Sequence, residues 1–126
     1  MSLVKYGLPP LLIALLIYQL STTPQPEVPS SIPGLDKLGH FGAYFLLSLF
    51  LVRTFAHCTH WVRSGWFWVT ISICTGYGLS LEWVQISIPG REATMGDVIA
   101  NCIGIVLGCG AYGWWKKWQL KKTNPT

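Results

Sequence analysis

The sequence predicts an all-α fold: a four-helix transmembrane bundle with both termini on the cytoplasmic side. Three observations carry this. Charged residues make up 11% of the chain against 51% hydrophobic ones, where water-soluble domains hold about a quarter charged. Four apolar stretches each approach the ~20 residues that a helix needs to cross ~30 Å of hydrocarbon. Polar and basic connections separate them. A chain of 126 residues has room for one domain, and residues 1–126 are read as a single membrane domain.

The first stretch covers residues 3–20, with Lys5 near its start and Pro9–Pro10 early in it. Proline is tolerated near a helix start and bends a helix further in. A cleaved signal peptide is the competing reading of this segment. Gln19-Leu20-Ser21-Thr22-Thr23 is a poor small-x-small cleavage site, so a retained helix is expected. The second stretch runs over 36–56, the third over 65–88 and the fourth over 96–118. Few segments and no water for the peptide groups leave the helix as the only sensible conformation at membrane depth.

The connections differ in character. Ser21 to Leu35 holds Pro24, Pro26, Pro29 and Pro33 and reads as an extended irregular loop. Arg53 to Ser64 carries Arg53, His57, His60 and Arg63, and Pro89 to Met95 is short, with Gly90, Arg91 and Glu92. Lys5, Arg53, Arg63 and the tail residues Lys116, Lys117, Lys121 and Lys122 fall at one end of the bundle, and only Lys37 and Arg91 at the other. That imbalance of seven to two puts both termini in the cytoplasm and the other two loops outside. It also accounts for the net charge of +4 without nucleic acid, since no basic face interleaved with stacking aromatics exists. Trp114, Trp115 and Trp118, and Trp61, Trp66 and Trp68, read as interfacial belts.

Ionisable groups at membrane depth are costly and mark function by default. Asp36, His40 and Tyr44 stand at i, i+4, i+8, so they share a face of the second helix. Glu82 and Gln85 are i, i+3 near the end of the third. Asp97 and Asn101 are i, i+4 at the start of the fourth, and Arg91 and Glu92 lie in the loop between. Three antiparallel segments then bring all of these to the outer end of the bundle. Each residue has a structural role to set beside a functional one. Asp97 follows Thr94 as in a capping box. Asp36 and Lys37 suit a helix start in the headgroup zone. His40 and Glu82 suit an inter-helix tie, and Arg91 a headgroup anchor.

Gly104 and Gly108 continue the Asp97–Asn101 face as G-x-x-x-G, and Gly39 with Ala43 makes a small-x-x-x-small pair, both read as close helix packing. Cys58, Cys74, Cys102 and Cys109 lack C-x-x-C spacing and read as small buried residues. His57, Cys58 and His60 are a weak metal signal without a fourth ligand, so no metal or other cofactor is expected.

The series Asp36-Lys37-Leu38-Gly39-His40-Phe41, Tyr44, Glu82-Trp83-Val84-Gln85, Gly90-Arg91, Asp97-Val98, Asn101 and Gly104 resembles the VanZ-like family over residues 36–108. The resemblance implies a multi-pass protein of the bacterial cytoplasmic membrane with four or five helices. The family's namesake is linked to teicoplanin resistance, and the resemblance brings no settled reaction with it.

The polar set supports competing functions. In the first, the cavity binds or modifies a phosphate-bearing lipid or lipid-linked cell-envelope precursor. His40, with Asp36 or Glu82 beside it, acts as acid or base. Arg91 and Lys37 hold the anion, and Gln85, Asn101, Asp97 and Tyr44 bind or orient the ligand. In the second, Asp36, His40, Glu82 and Asp97 hold a metal. In the third, the polar groups lock the helices of a non-enzymatic scaffold, with a membrane protein or a second copy as partner. Four helices with polar groups at one side are a poor match to alternating-access transport.

Overall fold

A computed structural model describes residues 2–24, 34–60 and 63–123. It contains four helices, α1 (Ser2–Thr22), α2 (Leu35–Cys58), α3 (Arg63–Gln85) and α4 (Met95–Thr123), and no strand among the described residues. The helices alternate in direction, so the end of α1, the start of α2, the end of α3 and the start of α4 share one end of the bundle. Helices α1, α2 and α4 are long and apolar enough to cross a membrane. Helix α3 matches them in length, at 23 residues, and is less apolar. The expected prolines 26, 29 and 33 and the belt residue Trp61 lie outside the described residues.

Two helix ends differ from the sequence expectation by more than two residues. Helix α3 stops at Gln85 rather than residue 88. The chain tightens there, with Ser87 N donating to Val84 O and Ile88 N to Gln85 O, both at 3.0 Å. Pro89 disfavours the α conformation at Ile88, and Gly90 turns the chain at φ 75°. Helix α4 runs on to Thr123, beyond the apolar stretch that ends at 118. Lys, Gln and Leu are good helix formers, and Lys121 and Lys122 in the last turn complement the helix dipole.

Helix α2 is the hub. It packs most extensively on α4 and also on α1 and α3; α1 and α4 do not touch among the described residues. Glycine sets the α2–α4 contact. A Cβ at Gly104 would collide with the Phe41 carbonyl oxygen and come within 3.0 Å of Phe45 N. One at Gly108 would collide with Ser48 Oγ and the Phe45 carbonyl oxygen. Backbones so close gain dispersion that lipid tails cannot match. The Gly39–Ala43 pair does not work this way. Gly39 has open space where its Cβ would be, so it packs on no helix and borders a cavity instead.

Helix α1 belongs to this bundle through its backbone carbonyls. Pro10 has no N–H to give the Tyr6 carbonyl, the bond an α-helix makes at that step. The Thr54 hydroxyl of α2 donates to Tyr6 O instead, at 2.5 Å. The Tyr77 hydroxyl of α3 donates to Ala14 O at 2.6 Å. At the opposite end from the polar cluster, Tyr6 stacks on His57 with centroids 4.3 Å apart, Arg53 lies over Tyr6 and Lys116 over Trp66. Cys74 and Cys109 are buried in the apolar clusters between the helices, and none of the four cysteines is in a disulfide.

Substitutions at two kinds of contact check this packing. Gly104→Leu forces the α2–α4 backbones apart and costs at least about 1–3 kcal/mol, whereas Gly76→Ala, which meets open space, is neutral or better. Melting temperature in detergent reads the difference, and equal melting of both variants would refute the glycine contact. Thr54→Val strands the Tyr6 carbonyl and costs about 1–2 kcal/mol. Adding Pro10→Ala restores a backbone donor and recovers most of that loss. A double-mutant cycle with no coupling would show that Thr54 does not replace the missing donor.

Candidate functional site

Three helices meet around His40. Its Nδ1 donates to Asn101 Oδ1 at 3.1 Å and lies 3.5 Å from Glu82 Oε1. Asn101 Nδ2 donates to the same Glu82 oxygen at 3.3 Å. Glu82 at 6%, Asn101 at 4%, Asp97 at 2% and Gln85 at 3% exposed are all buried. The sequence spacing is the cause. Asn101 stands one turn before Gly104, so the glycine contact that brings α4 onto α2 also sets its amide against His40.

The amide fixes the protonation geometry. A carboxylate only accepts hydrogen bonds, so Asn101 must turn its NH₂ towards Glu82. Its carbonyl then faces His40 Nδ1, which must carry a proton. The neutral imidazole is held as the Nδ1–H tautomer, and its Nε2 lone pair lies on the opposite edge of the ring.

A cavity of about 290 Å³ opens beside this triad. Asp36, Gly39, His40, Ala43 and Tyr44 of α2 line it, with Gln85 at the end of α3, Arg91 in the loop, and Ile17, Leu20 and Ser21 of α1. The face expected to hold Asp36, His40 and Tyr44 is therefore the cavity wall. Tyr44 is buried at its base, its ring 6.4 Å from that of Tyr77. Glu82 and Asn101 form a layer behind His40 rather than part of the wall.

Three of the candidate residues have other partners. Asp97 is a helix cap. Thr94 N and Thr94 Oγ1 donate to its Oδ2 at 3.2 and 2.6 Å, and Asp97 N donates back to Thr94 Oγ1 at 3.3 Å. Lys37 does not line the cavity. Its stem runs over Gly96 and its Nζ lies 3.2 Å from Asp36 Oδ2 and 3.8 Å from Asp97 Oδ1. Arg91 donates through Nη2 to Leu20 O and through Nε to Thr23 O at 3.3 Å, which answers the open carbonyls at the end of α1. Asp36 is at the mouth, its side chain 60% exposed. Of the four residues of the metal hypothesis, His40 meets Glu82 while Asp36 and Asp97 both face Lys37, and no three His, Cys, Asp or Glu side chains among the described residues group as a metal site.

Sequence reasoning missed α1 as a wall and Gly78 as a spacer. A Cβ at Gly78 would come within 3.2 Å of the Tyr44 ring and 3.4 Å of Asn101 Nδ2. Its position one turn before Glu82 was the available signal. Among the described residues, buried Glu82 Oε2 has no hydrogen-bond partner, and buried Asp97 Oδ1 has only the Lys37 ammonium, at 3.8 Å.

The fold and this cluster define a helical membrane protein with a polar cavity walled by three helices and a loop at one end. A family model described as VanZ/LLP1 matches residues 8–116. The chain belongs to the VanZ-like family, and the match takes in most of α1 as well as the motif residues. Searches of curated proteins and of solved structures returned no match.

The tautomer is a checkable consequence. In full-length protein with His57→Gln and His60→Gln, the ¹⁵N shifts of His40 in its neutral form should be those of a protonated Nδ1 and an unprotonated Nε2. The Nε2–H pattern would mean that the Asn101 amide does not orient the ring.

Proposed function

We propose that the cavity binds a phosphate-bearing lipid headgroup, with His40 as the group that exchanges a proton with it. One observation carries this reading. His40 is on the cavity wall with Asn101 and a buried carboxylate behind Nδ1, the arrangement that fixes the ring and leaves Nε2 for a ligand. The wall mixes one cation, Arg91, with hydrogen-bonding groups of Tyr44, Gln85 and Ser21. Such a mixture suits an anion held at headgroup depth. Glu82 and Asn101 then act as positioning residues for His40. Asp36 at the mouth and the Lys37–Asp97 pair beside it set the local charge, and Lys37 reaches a ligand only by leaving that pair.

The surrounding assignment belongs to the same proposal. Residues 1–126 form one domain of the cytoplasmic membrane, crossed several times, with both termini inside and the cavity outside. The seven-to-two division of Lys and Arg supports that orientation. A cell-envelope precursor as the ligand would connect the cavity with the glycopeptide resistance attached to the family's namesake.

A second reading has its own observation. The His40–Asn101–Glu82 bonds tie α2, α4 and α3 together, as a non-enzymatic scaffold or modulator would require.

Gly39 separates the two. Gly39→Leu enters the cavity from a position where a Cβ meets no atom and leaves the His40–Asn101–Glu82 bonds behind the wall in place, and replacing a helical glycine favours stability by about 0.5–1 kcal/mol. Full-length protein in nanodiscs, titrated with geranyl phosphate and read by native mass spectrometry, should bind. Gly39→Leu and His40→Ala should each weaken binding about tenfold or more, with the melting temperature of Gly39→Leu undiminished. Wild-type affinity in Gly39→Leu, or no binding by the wild type, would end the headgroup reading. His40→Ala and Glu82→Ala losing stability while Gly39→Leu keeps every function would establish the scaffold.

A further inference from the structure

The five acidic residues of the chain are Glu27, Asp36, Glu82, Glu92 and Asp97. None occurs in residues 1–26, 37–81 or 98–126, the parts of the sequence that supply the bundle end opposite the cavity. The cations there have no Asp or Glu side chain to pair with. Lys5, Arg53 and Lys116 nevertheless gather around one histidine, His57.

A backbone defect builds that gathering. Pro10 leaves the Tyr6 carbonyl open, and Thr54 of α2 takes it. Arg53 and His57 flank Thr54 and stand at i, i+4, on one face of α2. Pinning the Tyr6 backbone at Thr54 brings its ring against both. The ring stacks on His57 at 4.3 Å and 3°, Arg53 Cζ lies 5.1 Å from its centroid and Lys5 Nζ 5.5 Å from it. Lys116 of α4 lies over Trp66 and acts electrostatically on His57, as Lys5 and Arg53 do. Positive groups of α1, α2 and α4 therefore share one patch. A cation seated over a ring keeps N–H donors that point away from it. Among the described residues, Lys5 and Arg53 have the Tyr6 ring as partner and no hydrogen bond or ion pair.

Depth points to a lipid as the source of the missing anion. From Asp36 at the cavity mouth to His57, α2 rises about 31 Å at roughly 1.5 Å per residue. That is one hydrocarbon thickness of ~30 Å. With the cavity among the headgroups of one leaflet, the patch stands among those of the other, where the anions are lipid phosphates. A phosphodiester offers two unprotonated oxygens to the guanidinium edge and the ammonium. A zwitterionic lipid brings an ammonium of its own, which the patch repels.

We propose that Lys5, Arg53 and His57, with Lys116 beside them, bind the phosphodiester of an anionic glycerophospholipid of the phosphatidylglycerol class, at the membrane face opposite the cavity. The site is independent of the cavity and its ligand. A lipid held there bridges α1 and α4, which do not touch among the described residues, so it also fastens the start of α1 to the bundle.

The test uses full-length protein in detergent, titrated with phosphatidylglycerol or phosphatidylcholine and read by native mass spectrometry and by melting temperature. It is run in the wild type and in Gly39→Leu, which blocks the cavity. In both, phosphatidylglycerol should bind about tenfold tighter than phosphatidylcholine and raise the melting temperature. Lys5→Gln with Arg53→Gln should abolish the preference and the rise. Lys121→Gln with Lys122→Gln, an equal loss of charge on the tail, should keep both. Unchanged melting in phosphatidylcholine shows that the variants fold. Should Arg53→Gln not fold, Lys5→Gln alone decides, since Lys5 is exposed; it should lose about threefold of the preference. Equal binding of the two lipids, a preference unaltered without Lys5 and Arg53, or an equal loss in the tail variant would overturn the site. So would a preference that vanishes in Gly39→Leu, which would put the lipid in the cavity. Competition by glycerol 3-phosphate at matched phosphate concentration would overturn the lipid as the source of the anion.

Discussion

The backbone contact between α2 and α4 is the constraint on which the other features depend. Gly104 and Gly108 bring α4 against the Phe41–Leu49 segment of α2, and in a lipid solvent such closeness is the main source of helix affinity. Its consequence reaches beyond packing. Asn101 is one turn above Gly104 on the same face, and Asp97 one turn above that. Setting the glycines on α2 therefore fixes Asn101 opposite His40 and Asp97 near Lys37. The chemistry at the end of the bundle is aligned by atoms that carry no chemistry.

Helix α1 is held by a different principle. Its lipid-facing side is broad and apolar, with Leu11, Leu12, Leu15 and Leu16 exposed, so burial alone gives it little reason to dock. Carbonyl oxygens supply the specificity. Pro10 frees one at Tyr6, the helix end leaves others at Leu20 and Thr23, and Ala14 O takes a second donor. Thr54, Arg91 and Tyr77 answer them from α2, the α3–α4 loop and α3. Unsatisfied backbone groups cost several kcal/mol in hydrocarbon, so the Thr54 bond to the carbonyl that Pro10 frees makes an undocked α1 costly. Because Ile17, Leu20 and Ser21 of α1 line the cavity, those four bonds also keep that wall in place.

Spacing and chain direction made part of this legible in the sequence. Antiparallel helices with polar residues at matching ends must bring His40, Glu82 and Asn101 together, and they do. The Thr94–Asp97 cap was readable for a related reason, since its signal is local. The hidden part depends on three-dimensional reach. Lys37 looks like a free cation until Gly96 lets its stem lie across α4 towards Asp97. Arg91 looks like a headgroup anchor until the end of α1 arrives beside it. Gly39 and Gly104 carry the same small-residue signal, and only the packing tells that one meets a void and the other a backbone. The end of α3 fell three residues early because Pro89 acts on the residue before it, while apolarity continues to Ile88.

The buried carboxylates argue for a cavity that does more than clamp. A clasp between helices needs hydrogen bonds, and neutral amides make them at low cost. A Glu or Asp that gives up water loses several kcal/mol unless its oxygens are matched. Glu82 has one oxygen matched and one not, whereas both oxygens of Asp97 face a partner, Thr94 and Lys37. A fold under selection for stability alone would favour Gln at 82, which could still accept from Asn101 while carrying no charge. Retaining a carboxylate behind the imidazole costs stability and has its return in the charge it places on the Nδ1 side of His40. On the proposed reading, that charge holds the Nδ1 side of the ring from behind and leaves Nε2 to the cavity. The unmatched oxygen of Glu82 lies one layer behind the histidine on the cavity wall, at the place where the proposed proton exchange would use a buried charge.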